Sequence, residues 1–195
     1  MSDALLGSIV RLQVQRDPLK TRGEGYDPTP ILAVDEAAIG PLGMVGRHDG
    51  AWVVDAHHGA HPRSRAGGRR ALSIGFTAHY AAMADRFGSA PLGCAGENII
   101  VETDRIIRAE DLEGDLLVTT GNGELRLMGA RVATPCLEFT SFLLGRPAVA
   151  SRSEIAADVA SLDEGVRGFI LEVAHLGGPV VIRVGDPVSV RAGFA

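Results

Sequence analysis

Glycine and proline punctuate this chain so often that only short elements fit between them, and that fixes the class of fold open to it. There are 25 glycines and 10 prolines in 195 residues, and the stretches between them are rich in Val, Ile, Leu and Thr. Residues 9–14 alternate apolar and polar side chains, the period of a half-buried strand. Further strand runs are 31–34, 51–54, 99–102, 116–120, 124–132, 169–173 and 180–184, with 188–190 closing the sheet. Residues 16–30 are rich in Gly, Pro and charge and read as a loop. Between two of the runs lies Thr120-Gly121-Asn122-Gly123, a hairpin signal because Asn and Gly tolerate positive φ.

Two segments have helical spacing. Phe76, Tyr80, Met83 and Phe87 recur at three to four residues. Thr77 is placed to cap that helix, Phe76 to act as its hydrophobic staple, and Gly88 to stop it. A second helix is predicted over 153–162, with Ile155, Val159 and Leu162 on one face and Ser153 as its cap. Many short strands with few helices predict a mainly β domain. Closing the sheet into a barrel hides every strand edge; a two-sheet sandwich is the alternative that periodicity leaves open.

Length and composition predict a single domain over 1–195, with 46% hydrophobic and 22% charged residues. The net charge of −5 argues against nucleic acid as a partner. No apolar run reaches the ~20 residues of a membrane span, and the opening residues carry no basic leader. Two cysteines make no disulfide framework. These features predict a cytoplasmic protein with no membrane partner. Of the 19 basic residues, Lys20 is the one lysine. It sits in a Pro- and Gly-rich loop, so pyridoxal phosphate, which needs a Schiff-base lysine, is not expected in this chain.

Four places carry chemistry. Cys136 follows Pro135, whose ring restricts the backbone and so gives the sulfur a defined direction. Arg131 lies five residues upstream; a nearby cation favours the thiolate, the reactive form. Burial as a small hydrophobe is the alternative for this cysteine. The segment Asp55 to Arg70 holds His57, His58, His61, Arg63, Arg65, Arg69 and Arg70, and no acid occurs between Asp55 and Asp85. Arginine forks and glycine backbone suit an anionic small molecule; an exposed basic loop is the plain alternative, and the clustered histidines are a weaker case for a metal. Gly93-Cys94-Ala95-Gly96-Glu97-Asn98 brings a tight turn, an acceptor and an amide, with Cys94 read as inert. Gly114-Asp115 and Gly185-Asp186 read as structural corners, and His79, Tyr80 and His175 as packing or surface residues.

The order of these pieces resembles the MOSC domain, the C-terminal module of molybdenum-cofactor sulfurases that also occurs in small stand-alone bacterial proteins. The matching pieces are His57-His58-Gly59, the helix from Phe76 to Phe87, and Gly96-Glu97-Asn98. Gly114-Asp115, Pro135-Cys136, Gly165 to Phe169, and Gly185-Asp186-Pro187-Val188 follow in the same order. The match spans roughly residues 45–190. It implies a closed β-barrel like the barrel domain of pyruvate kinase. It also implies that Cys136 carries or receives sulfur, as thiolate or persulfide, beside a site for molybdenum cofactor or a related anion. In this reading Arg131 and Arg167 stabilise the thiolate, while His58, Arg63, Arg65, Arg69 and Arg70 hold the anionic or pterin ligand. Glu97 and Asn98 orient the site. The arginine-rich stretch after His58-Gly59-Ala60 departs from the family's pattern. A sulfurase domain has no counterpart here, so sulfur would come from a separate donor protein. A non-catalytic module for an anionic small molecule is the competing reading, and molybdenum-dependent detoxification of N-hydroxylated compounds follows only by analogy. The sequence leaves a homodimer open.

Overall fold

The structure is a computed structural model that describes residues 3–64, 72–174 and 177–191. Its main body is a barrel. The long first strand β1 (Ala4–Gln15) is followed by the small hairpin β2 (Lys20–Thr21) and β3 (Gly25–Tyr26), then β4 (Ile31–Val34), β5 (Glu36–Gly40), β6 (Gly43–His48) and β7 (Ala51–Val54). After β8 (Leu72–Phe76) come helix α1 (Thr77–Phe87) and β9 (Ile99–Val101). A single 3-10 turn, Ala109–Leu112, leads to β10 (Asp115–Thr120) and β11 (Gly123–Val132). Two short helices, α2 (Leu137–Leu143) and α3 (Ala156–Ala160), precede β12 (Phe169–Val173), β13 (Val180–Arg183) and β14 (Pro187–Arg191).

Strands pair in the order β14, β10, β11, β12, β8, β9, β1, and β1 pairs back onto β14, so seven strands close the barrel. The closure joins the two ends of the chain: Ala4 faces Val190 and Ser8 faces Pro187. Among the described strands the one parallel contact is β8 with β9, made possible because α1 crosses over between them. β1 is long enough to serve three partners, β14 at its start, β9 in its middle and β4 at its end. A second sheet, β13-β5-β6-β7, packs beside the barrel. Alternate residues of these strands point inward and form one apolar core, including Leu12, Ile74, Phe76, Leu116, Leu127, Phe169, Leu171 and Val188. Ala37, Ile39, Met44 and Ile182 of the second sheet belong to the same core.

The barrel agrees with the fold the sequence predicts, but several elements differ in detail. The 120–123 hairpin forms as expected, with Thr120 paired to Gly123. Gly88 ends α1 in the left-handed conformation, its N–H bonded to Ala84. Thr77 does not cap α1. The cap residue is Phe76, without a side-chain bond, and the Thr77 hydroxyl instead donates to the Thr103 carbonyl at 3.0 Å. The second predicted helix shrinks to α3 and is not capped by Ser153; Ile155 holds that place. Ser151 binds the Glu154 carboxylate through both its N–H and its hydroxyl, which occupies the chain ahead of the helix. β2, β3, β5, β6, β8 and α2 are elements the periodicity does not announce, and the paired β2 and β3 fall within the 16–30 stretch that reads as a loop. Both Gly-Asp corners are structural: Asp186 accepts the Arg183 N–H at 2.8 Å, and Asp115 pairs with Arg126.

Among the described residues no helix is long and apolar enough to cross a membrane.

Candidate functional site

Beside the barrel, α1 and α2 enclose a second, smaller cluster with a different composition. Its buried members are Tyr80, Met83, Cys94, Ala95, Ile100, Phe139, Leu143 and Leu162, and Tyr26 and Cys136 pack against them half-buried. Here the fold brings together three of the predicted site residues: Cys136, Glu97 and Arg167.

Cys136 stands at the head of α2 in extended conformation, and its carbonyl accepts both the N–H and the hydroxyl of Thr140. Arg167 comes from the turn before β12. That turn is locked to the chain just ahead of Cys136, because Ala133 donates its N–H to the Gly168 carbonyl at 2.9 Å. Gly168 is required there: its φ is +94°, and an added Cβ would lie 2.8 Å from the Ile74 carbonyl oxygen. The Arg167 guanidinium lies over the Phe139 ring, 4.6 Å from its centroid, a cation–π arrangement. Tyr26 meets the same ring edge-on at 5.0 Å.

The electrostatics of Arg167 are unusual for this molecule. Ten other arginines of the described residues form ion pairs through exposed side chains. Arg167 is not among them, and its buried Nε has no hydrogen-bond partner among the described residues. Burial works to lower its basicity. Tyr26, Glu97, Tyr80 and Cys136 outweigh that and raise it, so the group stays a cation. The Cys136 sulfur is among the groups close enough to act on it, after Tyr26, Glu97 and Tyr80.

Glu97 is 1% exposed. The Tyr80 hydroxyl donates to its Oε2, while Oε1 is buried without a partner. Burial pushes this carboxyl above the usual carboxylate range, against the opposing pull of Arg167 and the Tyr80 hydrogen bond. Its slot exists because Gly75 and Gly168 lack side chains: a Cβ on Gly75 would come within 2.7 Å of Oε1. Burial likewise raises the phenols of Tyr80 and Tyr26.

The two thiols differ. Cys94 is buried, and burial, with Glu97 adding to it, pushes its thiol up to about 12; that fits the inert role the sequence suggests. Cys136 is half-buried. Its other charged neighbour is Glu138, whose carboxyl burial tends to raise. Bonds from the Gly23 N–H, its own N–H and the Cys136 thiol, with Lys20 nearby, bring it below its ordinary value.

The remaining predicted residues lie elsewhere. Arg131 does not serve Cys136 by an ion pair: it is exposed on β11 and donates to Glu172, because its position points away from the barrel core. Asn98 is saturated as a brace. Its amide N–H groups go to Asp55 at 3.0 Å and to the Gln13 carbonyl, and its oxygen takes the N–H and hydroxyl of Ser73. Arg63 pairs with Asp17. The His58 ring accepts the Ala60 N–H; burial lowers its basicity, against Asp55. Arg65, Arg69, Arg70 and His175 lie outside the described residues. Among those described, no cluster of three metal-ligating side chains occurs. Tyr80, read from sequence as packing or surface, is instead the hydrogen-bond partner of Glu97. Tyr26 has no periodicity in the sequence to mark it; its hydroxyl donates to the Cys94 carbonyl at 2.7 Å.

No protein-family profile matches this chain, and no curated protein matches it by sequence. Solved structures do. The YuaD protein from Bacillus subtilis superposes with a TM-score of 0.57 at 15% identity, covering 96% of this chain and 96% of that one. YiiM from Geobacillus stearothermophilus gives 0.52 at 18% identity, over 94% of this chain and 74% of its own. YiiM from Escherichia coli gives 0.50 at 15%, over 96% and 71%. At these identities the likeness is one of fold.

Proposed function

We propose that this chain is a MOSC-type domain that handles sulfur or a molybdenum cofactor at Cys136, with Arg167 as the cation of the site. The observation that supports the reading is a half-buried thiol in the same cluster as a buried guanidinium that forms no direct ion pair among the described residues and feels Glu97 only as a neighbouring charge. The sequence resemblance and the fold shared with YuaD and YiiM support it.

As a sulfur carrier, Cys136 would attack the outer sulfur of a persulfide on a separate donor protein. The new S–S bond forms on Cys136, the donor's S–S bond breaks, and the donor leaves as its thiolate. Arg167 would stabilise the negative sulfur before and after transfer. Cys94 would take no part, since a buried thiol raised to about 12 supplies almost no thiolate at neutral pH.

The residues present also fit a molybdenum cofactor in kind: a thiolate is a soft metal ligand, and the unpartnered Nε of Arg167 is a donor suited to an anionic group. Cys136 and Arg167 would hold it, and when bound it would supply oxygen-atom transfer chemistry. Glu97 and Tyr80 would fix the floor beneath Arg167.

A specific observation favours a second reading, a non-catalytic module for a small anion. The Cys136 thiol is hydrogen-bonded to Glu138, which ties the sulfur to the protein and away from an incoming partner.

Incubation with a persulfidated sulfurtransferase and mass spectrometry separates the two. The carrier reading expects one added sulfur on wild type and none on Cys136→Ser. Equal labelling of both, or of neither, overturns it and leaves the anion module.

A further inference from the structure

The turn after β7 contains a second arrangement of reactive groups, independent of Cys136. Asp55 is fully buried, and four hydrogen-bonding groups converge on its two oxygens. Oδ2 accepts the Gln15 N–H at 2.8 Å and the Asn98 amide at 3.0 Å; Oδ1 accepts the His57 N–H at 2.8 Å. The fourth is the His57 ring, with Nδ1 3.1 Å from Oδ1. Since the carboxylate only accepts, the proton of a neutral His57 ring belongs on Nδ1. That leaves Nε2 with a free lone pair on a side chain that is 49% exposed.

The neighbouring rings have the opposite tautomer. His58 Nδ1 accepts the Ala60 N–H and His61 Nδ1 accepts the Arg63 N–H, both at 3.1 Å, so each carries its proton on Nε2. His61 spends that proton on the Arg16 carbonyl at 3.2 Å. The turn therefore presents one imidazole acceptor, His57, beside an imidazole donor, His58. The scaffold behind Asp55 is rigid, because Gln15 and Asn98 are themselves buried and the Ser64 hydroxyl braces the His57 carbonyl.

From this geometry we infer that His57 is a Brønsted base, positioned by Asp55, for a small O–H or N–H acid bound against the turn. His57 Nε2 takes the proton of the O–H or N–H acid as that heteroatom bonds to the carbonyl carbon of an activated acyl compound, and the bond from that carbon to its leaving group then breaks with the electron pair going to the leaving group. The proton returns to the departing group or to water, and the imidazolium formed in between is stabilised by Asp55 through Nδ1–H. The same carboxylate meets Asn98, whose chain neighbour Glu97 lies in the Arg167 cluster, so the two sites share a backbone but not a side chain.

Two measurements test this. Nitrogen-15 spectra of the histidine rings at neutral pH should show His57 protonated on Nδ1, His58 on Nε2, and a shift of the His57 proton toward Nε2 in Asp55→Asn; a wild-type His57 protonated mainly on Nε2 overturns the proposal. With p-nitrophenyl acetate as probe and water as the O–H acid, His57→Gln should slow hydrolysis about tenfold or more. His48→Gln, a change at a half-buried ring paired with Ala51 at the far end of the β6–β7 hairpin from the turn, should leave the rate alone. Asp55→Asn should lower the rate and displace the inflection of its pH profile. Hydrolysis by His57→Gln at the wild-type rate, with its fold intact by circular dichroism, contradicts the role. If Asp55→Asn fails to fold, the wild-type spectrum and His57→Gln still decide.

Discussion

Leu116, Leu127, Phe169 and Leu171 lie in the barrel at 0% exposure, within an apolar core. A short distance away, on the other side of the barrel wall, Tyr80, Cys94, Glu97 and Arg167 occupy the cluster under α1 and α2, where Glu97 and Arg167 each leave a buried polar atom without a partner. Those four barrel side chains follow the rule that buried groups are apolar or satisfied, although at the barrel's edge His79 Nδ1 and Thr103 Oγ1 also lack partners among the described residues. The cluster breaks it at two atoms of opposite character, an acceptor and a donor. Each unsatisfied buried group costs roughly 1–3 kcal/mol, so the barrel supplies stability and the cluster consumes some of it. Regions that depart from packing rules are where function is expected.

The comparison predicts unequal responses to substitution. Phe169→Ala removes a fully buried ring from the barrel and should cost about 3–5 kcal/mol, measured by urea unfolding; a loss below about 1 kcal/mol would mean that the barrel interior is not the stability core. His79 gives the next largest effect. It is packed between the Phe76 and Phe169 rings, and burial depresses its value from 6.5 to about 4. Its folded value lies below its unfolded one, so full stability holds above about pH 6.5 and is lost as pH falls toward 4, by on the order of 3 kcal/mol. In His79→Gln that acid loss should shrink; an unchanged loss assigns it to other groups.

Smaller effects sharpen the contrast. Tyr80→Phe strips Glu97 of its hydroxyl donor and should cost about 1–3 kcal/mol, with a refolded structure unchanged by circular dichroism. An effect near zero would mean that a water replaces the phenol and that the cluster is wetter than the barrel. Arg131→Ala breaks an exposed pair with Glu172 and should change stability by less than about 1 kcal/mol and leave Cys136 reactivity unaltered. A large loss of thiol reactivity would restore Arg131 to the site.

Local signals made part of this legible from sequence. The Asn122-Gly123 hairpin, the Gly88 stop and the main strand runs depend on neighbours in the chain, and they are where the residues place them. Barrel closure depends on β1 meeting β14, a pairing of the chain's two ends that no local pattern encodes. α2 escaped because Phe, Thr and Ser within Leu137–Leu143 are weak helix formers, and the segment is held by Phe139 against Tyr26 instead. β5 and β6 are rich in Ala and Gly, which carry little strand preference. In the site, Cys136, Glu97 and Arg167 could be named because each stands in a distinctive turn. Arg131 pairs with Glu172 instead of Cys136; five residues of sequence proximity say nothing about which face of β11 it takes. Asn98 stands in a turn whose sequence suggests a ligand-orienting group, whereas its four side-chain bonds make it a brace.

The central claim is that one thiol of two is functional because of where Arg167 lies. Alkylation by iodoacetamide at pH 7, resolved by peptide mass spectrometry, tests it directly. The account predicts that Cys136 reacts at least about tenfold faster than Cys94, and that Arg167→Gln slows Cys136 while Arg131→Ala does not. Equal rates at the two cysteines, or a Cys136 rate indifferent to Arg167, would contradict it.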